Sequence, residues 1–137
     1  MRSNRKEILV EWGDCDPAGI VYFPRFFEYF DAATNALFES AGFPKAAMFE
    51  HYGLLGIPLV EASAQFYVPA SFGERVTIET RIVAWGTSSF RVEHRLYKGE
   101  VLAAEGREKR VWTVRDAARA SGMRSEAIPE EVKDRFV

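Results

Sequence analysis

Between residues 11 and 31 the chain reads EWGDCDPAGIVYFPRFFEYFD. Asp14, Asp16, Asp31 and Cys15 are the groups in this stretch that could do chemistry. An aspartate is ionised at neutral pH without an activating base. It can attack a carbonyl or activate water against one, provided the developing oxyanion is stabilised. A helix start supplies that stabilisation through free backbone N–H groups and the positive end of its dipole. Pro24 has no N–H, so Phe23 N–H and Tyr22 N–H are the candidate donors. The stretch therefore suits a carboxylate facing a carbonyl held at a helix N-terminus. On residue physics alone, aspartates in such a loop are more often turn or N-cap formers. Cys15 has no histidine near it in sequence, and a small buried thiol is the expectation. His51 and His94 stand apart, with no clustered Cys or His, so no metal site is expected.

Specific elements must hold these groups. Residues 8–12 suggest a short strand and 13–19 a loop punctuated by Gly and Pro. Pro24 suits the first helical position, and the helix should run to Ala41 and stop at Gly42, with Pro44 beyond. At 100° per residue, Phe26, Phe30, Ala33, Leu37 and Ala41 form one apolar stripe. Phe27, Tyr29, Ala36 and Phe38 widen it, while Glu28, Asn35 and Glu39 oppose it. Such an arc predicts a helix largely enclosed by the fold. Asp31 falls at its edge, where a carboxylate needs a partner or a route to solvent. A helical or irregular stretch at 45–52 follows. The period then changes to two over 58–68, 76–85, 90–97 and 101–114, with a last short helix at 129–135. In 58–68, Val60, Ala62, Ala64, Phe66 and Val68 share a face. The connections are short, which predicts antiparallel hairpins. An antiparallel sheet with one apolar face needs a cover, so the expected architecture is α+β, a sheet curled around the one greasy helix.

Composition sets the class. The chain has 137 residues, 47% hydrophobic and 28% charged, enough for a single domain with a real core. Eleven phenylalanines concentrate in the first half. A net charge of −2 gives no basic footprint for nucleic acid. One cysteine rules out an internal disulfide and fits a reducing compartment. The apolar run in MRSNRKEILVEW is too short for a signal peptide, and no stretch approaches the ~20 apolar residues of a membrane span. A cytoplasmic protein without membrane contact is expected.

The segment GDCDPAGIVYFP, followed by RFFEYFDAA, resembles the hotdog-fold acyl-CoA thioesterases, and within them the 4-hydroxybenzoyl-CoA thioesterase family. The likeness continues through GLLGIPLVEASAQFYVPASFGERVTIET and covers residues 8 to about 115. A commoner acyl-CoA thioesterase relative has a Tyr-His pair where this chain has Tyr22-Phe23-Pro24, which favours the aryl-CoA branch. The resemblance implies a single hotdog domain over 1–137, with its core at about 6–115 and a tail at 116–137. It implies an antiparallel five-stranded sheet around a central long helix, no cofactor, and a homodimer joined sheet edge to sheet edge, or a homotetramer as a dimer of dimers.

It also implies roles for residues. Asp16 becomes the catalytic carboxylate, as nucleophile or general base. Phe23 polarises the thioester carbonyl through its backbone N–H; the family has a tyrosine there, and Phe keeps the amide. Asp31 accepts a hydrogen bond from the phenol of the acyl group, with Tyr22, Phe27, Gly56 and Ile57 as further substrate contacts. Ile57 stands where the family has a polar residue. The CoA phosphates call for Arg or Lys, yet the family's basic hairpin run is replaced by AWGTSSF. Arg91 and Arg95, with Lys98 and Arg110, are the available replacements. Glu61 reads as surface or interface. The alternatives are a short- or medium-chain aliphatic acyl-CoA thioesterase and a non-catalytic acyl-CoA binding module. A hydratase would need a His with an acidic partner, a context that His51 and His94 lack.

Overall fold

In chain order the computed structural model, which describes residues 1–137, contains β1 (Ser3–Leu9), a 3-10 turn (Trp12–Asp14), α1 (Pro24–Ser40), α2 (Lys45–Tyr52), β2 (Leu54–Gly56), β3 (Leu59–Phe66), β4 (Arg75–Trp85), β5 (Ser89–Lys98), β6 (Val101–Val111), β7 (Thr113–Arg115), β8 (Met123–Ser125) and α3 (Glu130–Asp134). The aromatic helix forms where its end signals place it. Pro24 occupies its first turn. At the other end Gly42 adopts φ 93°, and Phe43 N–H donates to Phe38 O at 2.9 Å to close the last turn. The whole predicted stripe from Phe26 to Ala41 is buried.

Five strands pair antiparallel in the order β1-β4-β5-β6-β3 and curl around α1. This is the hotdog arrangement. A second sheet, β2-β7-β8, closes one end.

Five details differ from the sequence expectation. The run 101–114 is not one strand: β6 ends at Val111, Trp112 N–H donates to Ser88 O at 2.7 Å, and Thr113–Arg115 pairs in the second sheet. The first strand lies at 3–9 rather than 8–12, because the Asp14 carboxylate accepts Glu11 N–H at 3.1 Å and turns the chain at Trp12. β3 and β4 form no hairpin. The chain between them bonds to the loop before α1 instead, with Val21 N–H donating to Ala70 O at 2.8 Å and Phe72 N–H to Gly19 O at 2.9 Å. β3 forms where predicted but shows no covered face: it is an edge strand, exposed at every residue except half-buried Ala64, with Val60 and Phe66 in the open. The tail also enters the core, through buried Ile128, Val132 and Phe136.

The core has two apolar bodies with a polar layer between them. One body contains Leu37, Ile82, Val92 and Trp112; the other contains Ala33, Ile78, Leu96 and Ala104. Between them on α1, β4, β5 and β6 stand Thr34, Thr80, His94 and Glu108, all buried. Thr34 donates to Glu108 at 2.6 Å, His94 Nε2 lies 3.3 Å from Glu108, and His94 Nδ1 lies 2.8 Å from Thr80 Oγ1. Phe30 stacks on His94 at 4.8 Å between ring centroids. It also lies over Gly106, where a Cβ would come within 2.5 Å of the ring.

Burial pushes the Glu108 carboxyl up, but hydrogen bonds from His94 and Arg110 outweigh it and hold the group at about 2. A depressed carboxylate stabilises the fold above its unfolded value, and that stability is lost as pH falls through the folded value. The Glu108 contribution is therefore complete above about 4.5 and disappears toward pH 2. Urea midpoints measured from pH 7 to 2 should fall in that window for the native chain. Glu108→Gln should lie about 3–5 kcal/mol lower at pH 7 and show a shallower fall below pH 4.5.

Candidate active site

The loop before α1 is a tight turn. Asp16 N–H donates to Ile20 O at 3.0 Å, Gly19 N–H to Asp16 O at 2.9 Å, and Cys15 bridges Val21. Pro17 and Ala18 form the middle of the turn, and Gly19 takes φ 81°, which favours glycine. Asp16 Oδ1 accepts Ala18 N–H at 2.8 Å, and no group of the chain donates to Oδ2. Asp16 is thus a turn former with one oxygen and a half-buried free acceptor with the other.

Asp14 is engaged through one oxygen, twice. Its Oδ2 accepts Tyr29 O–H at 2.9 Å as well as Glu11 N–H. Burial first, then the bond to Asp14, pushes the Tyr29 phenol well above its ordinary value. Cys15 is half-buried rather than buried, and donates weakly to Glu11 O at 3.5 Å. Desolvation, then the charges of Asp14 and Asp16, raise its thiol pKa, which disfavours the nucleophilic thiolate.

Of the two candidate amides, Tyr22 N–H is taken by Asp14 O at 2.8 Å. Phe23 N–H has no acceptor in the chain. It lies at the N-cap of α1, beside an apolar groove of about 260 Å³ lined by Ile20, Phe23, Phe26, Phe66 and Pro69 among others.

Asp31 faces a different cavity, of about 310 Å³, lined also by Asn35, Lys45, Gly56, Ile57 and Arg110. Eight residues of helix separate Phe23 from Asp31, about 12 Å along the axis. One chain therefore gathers Asp31, Gly56 and Ile57 around one cavity, and places Asp16, Tyr22 and Phe23 at the other end of the first helical turns. Phe27 lines neither. It packs edge-on to Phe30 at 6.4 Å between centroids.

Asp31 has a partner that the linear reading put elsewhere. Arg110 Nη2 donates to its Oδ1 at 2.8 Å, from a side chain that is 5% exposed. Arg110 is therefore a buried residue of the Asp31 cavity and no surface cation for phosphates. Lys98 is committed to Pro69 O and Glu74, at 2.8 and 3.0 Å. Arg91 and Arg95 lie on the outer face of β5, 3.4 Å from Glu61 and 3.6 Å from Glu93. Glu108 escaped the linear reading, and His94, read there as lacking an acidic partner, has one in Glu108 at 3.3 Å, inside the core and away from both cavities. The signal for Glu108 was phase, since Glu108 and Arg110 alternate in step with Ala104 on the covered face of β6 and with Trp112 just beyond its end. No group of three His, Cys, Asp or Glu side chains is placed to hold a metal, and no helix is long and apolar enough to cross a membrane.

A sheet wrapped on one helix, with a carboxylate turn at that helix's start, defines a hotdog protein of the thioesterase class, and the chain belongs to the thioesterase-like superfamily, whose family model matches residues 10–136. Within it, the chain is 37% identical over 125 residues to 4-hydroxybenzoyl-CoA thioesterase of Pseudomonas sp. (strain CBS-3), covering 86% of this chain and 88% of the relative. A crystal structure of 4-hydroxybenzoyl CoA thioesterase, an Asp-to-Asn variant in complex with 4-hydroxybenzoyl CoA, matches with a TM-score of 0.90 and 31% identity over 100% of both chains. A gentisyl-coenzyme A thioesterase matches with a TM-score of 0.82 and 33% identity, over 97% of this chain and 98% of that one.

The two loop aspartates should separate by stability. Asp14→Ala removes two hydrogen bonds and should cost about 1–3 kcal/mol in urea unfolding. Asp16→Asn keeps an oxygen for Ala18 N–H and should change stability by less than about 0.5 kcal/mol.

Proposed function

We propose that the chain hydrolyses an aromatic acyl-CoA, 4-hydroxybenzoyl-CoA or a similarly hydroxylated ring, to the free acid and CoA. The observation that carries this is the free Asp16 Oδ2 in the turn that leads into the unpartnered Phe23 N–H. The thioester carbonyl oxygen accepts Phe23 N–H, which stabilises the negative charge that develops there. Asp16 then acts in one of two ways. It attacks the carbonyl carbon, giving a mixed anhydride and CoA thiolate, and water cleaves the anhydride. Otherwise it takes a proton from the water that attacks directly. Asp31 Oδ2 accepts the ring hydroxyl in the second cavity, beside Gly56 and Ile57. Hydroxylated aryl groups in the names of both similar thioesterases support that assignment. Tyr22, exposed beside Phe23, is a further contact for the acyl group, whereas Phe27 lines neither cavity, and Arg91 and Arg95 are the outer-face cations available for a phosphate site.

Two separated half-sites in one chain support a homodimer. The free edge of β3, with Val60, Phe66 and Tyr67 exposed, is the surface for a second copy. The single cysteine is a free thiol, which supports action in a reducing compartment such as the cytoplasm.

Thiol release from a panel of 4-hydroxybenzoyl-, benzoyl-, phenylacetyl-, acetyl- and medium-chain acyl-CoA tests the reading. The expected order places 4-hydroxybenzoyl-CoA first. Asp16→Asn should lower its turnover by about a hundredfold or more while retaining ester binding. Asp31→Ala should cost about tenfold to a hundredfold on 4-hydroxybenzoyl-CoA and much less on benzoyl-CoA. Retained activity in Asp16→Asn would remove Asp16 from the mechanism, and a preference for the medium-chain ester would return Asp31 to a structural role. Light scattering should give at least twice the 15.5 kDa chain mass; a monomer with full activity would exclude the shared site.

A further inference from the structure

A guanidinium has five N–H donors in a rigid fork. Arg110 spends four of them within the chain. Nε donates to Glu108 Oε1 at 3.0 Å, Nη2 to Glu108 Oε2 at 3.1 Å and to Asp31 Oδ1 at 2.8 Å, and Nη1 to Ile57 O at 3.0 Å. Two walls of one cavity, α1 through Asp31 and the segment after β2 through Ile57, are thereby tied to one cation on β6. The cation is itself fixed. Glu108 grips it along two parallel bonds and is held in turn by Thr34 and His94. The series Thr80, His94, Glu108, Arg110 and Asp31 runs from the core to the cavity, and only its last member is substantially exposed, at 52%.

We infer that Arg110 is a positioning residue for specificity, holding one oxygen of Asp31 so that the other reads a hydrogen-bond donor on the ligand's ring. This rests on the assignment of the acyl ring to the Asp31 cavity. A carboxylate swinging freely on an exposed helix face would meet many ligands equally. Pinned at Oδ1, it offers Oδ2 in one direction. A neutral ring hydroxyl satisfies that oxygen. A bare ring strips it of water without replacing the bond, and an anionic substituent meets like charge. The ligand class is a neutral hydroxyaryl acyl group. Lysine cannot substitute, because its point charge cannot hold Glu108, Asp31 and Ile57 O together.

The test reads the ratio of kcat/KM for 4-hydroxybenzoyl-CoA over benzoyl-CoA, with melting followed in parallel. Arg110→Lys is the first variant. Arg110→Gln with Glu108→Gln is the second, because it removes the buried charges together and avoids stranding one of them. Both should lower the ratio by about tenfold or more, and adding Asp31→Ala to either should lower it little further. Direct binding of the two esters, measured calorimetrically in an Asp16→Asn background, should show the same loss of preference. A folded variant with a lower melting temperature and an unchanged ratio would make Arg110 structural only and overturn the inference. Failure of both variants to fold would do the same. If Asp31→Ala alone leaves the ratio unchanged, the ring assignment itself fails. If Asp31→Ala collapses it and the Arg110 variants do not, only the role of Arg110 fails.

Discussion

A carboxylate buried beneath a helix is the constraint around which this chain is arranged. Glu108 is 5% exposed, and an ion in that position is tolerated only with its hydrogen bonds complete. Its partners come from α1, β5 and β6, through Thr34, His94 and Arg110, and His94 extends the set to Thr80 on β4. Four elements must therefore meet in one register. A slip of one residue on any strand would turn its polar member outward and bring an apolar or charged neighbour in. The apolar bodies on either side tolerate change in volume better than this layer tolerates a missing partner. Phe30 over Gly106 belongs to the same arrangement, since the helix can approach β6 this closely only where the strand lacks a side chain.

Much of this was legible in the residues, and the limits have physical causes. Pro24 and Gly42 mark the ends of α1 because each acts locally, through a missing N–H and a left-handed backbone. Two-residue periodicity located four of the five strands of the main sheet, β3 to β6, since alternation is also local, and β1 lay outside the segment expected. Pairing is not local. The segment 67–74 looks like a hairpin until one sees that the loop before α1 supplies its hydrogen bonds. The exposure of β3 depends on how far the helix reaches, which no single strand encodes.

The same distinction applies to the site. DPAG is a turn from composition alone, and the free oxygen of Asp16 follows from that turn. The partner of Asp31 stands 79 residues away. Arginine in a strand reads as surface by frequency, and only the alternation of Glu108 and Arg110 in phase with Ala104 and Trp112 argued otherwise. A charged pair on the covered face of a strand is improbable enough to be informative, because burying it is costly unless both members and a third group are satisfied.

The order in which the chain is made bears on how its core closes. Trp112 and Phe38 pack in the body that includes Ile128, Val132 and Phe136, while Arg2 donates its backbone N–H to Phe136 O at 2.9 Å and its guanidinium to Arg135 O and Ser40 O. The N-terminal strand thus waits for β4 to pair and for the residues around α3 to dock. During synthesis at about 5–20 residues per second, α1 emerges seconds before the segments that cover it. For that interval its phenylalanines have no permanent shelter. The apolar stripe of α1 thus stays open until the strands and α3, which follow it in sequence, have been made, and the segment around α3 acts as the latch on a core begun by α1.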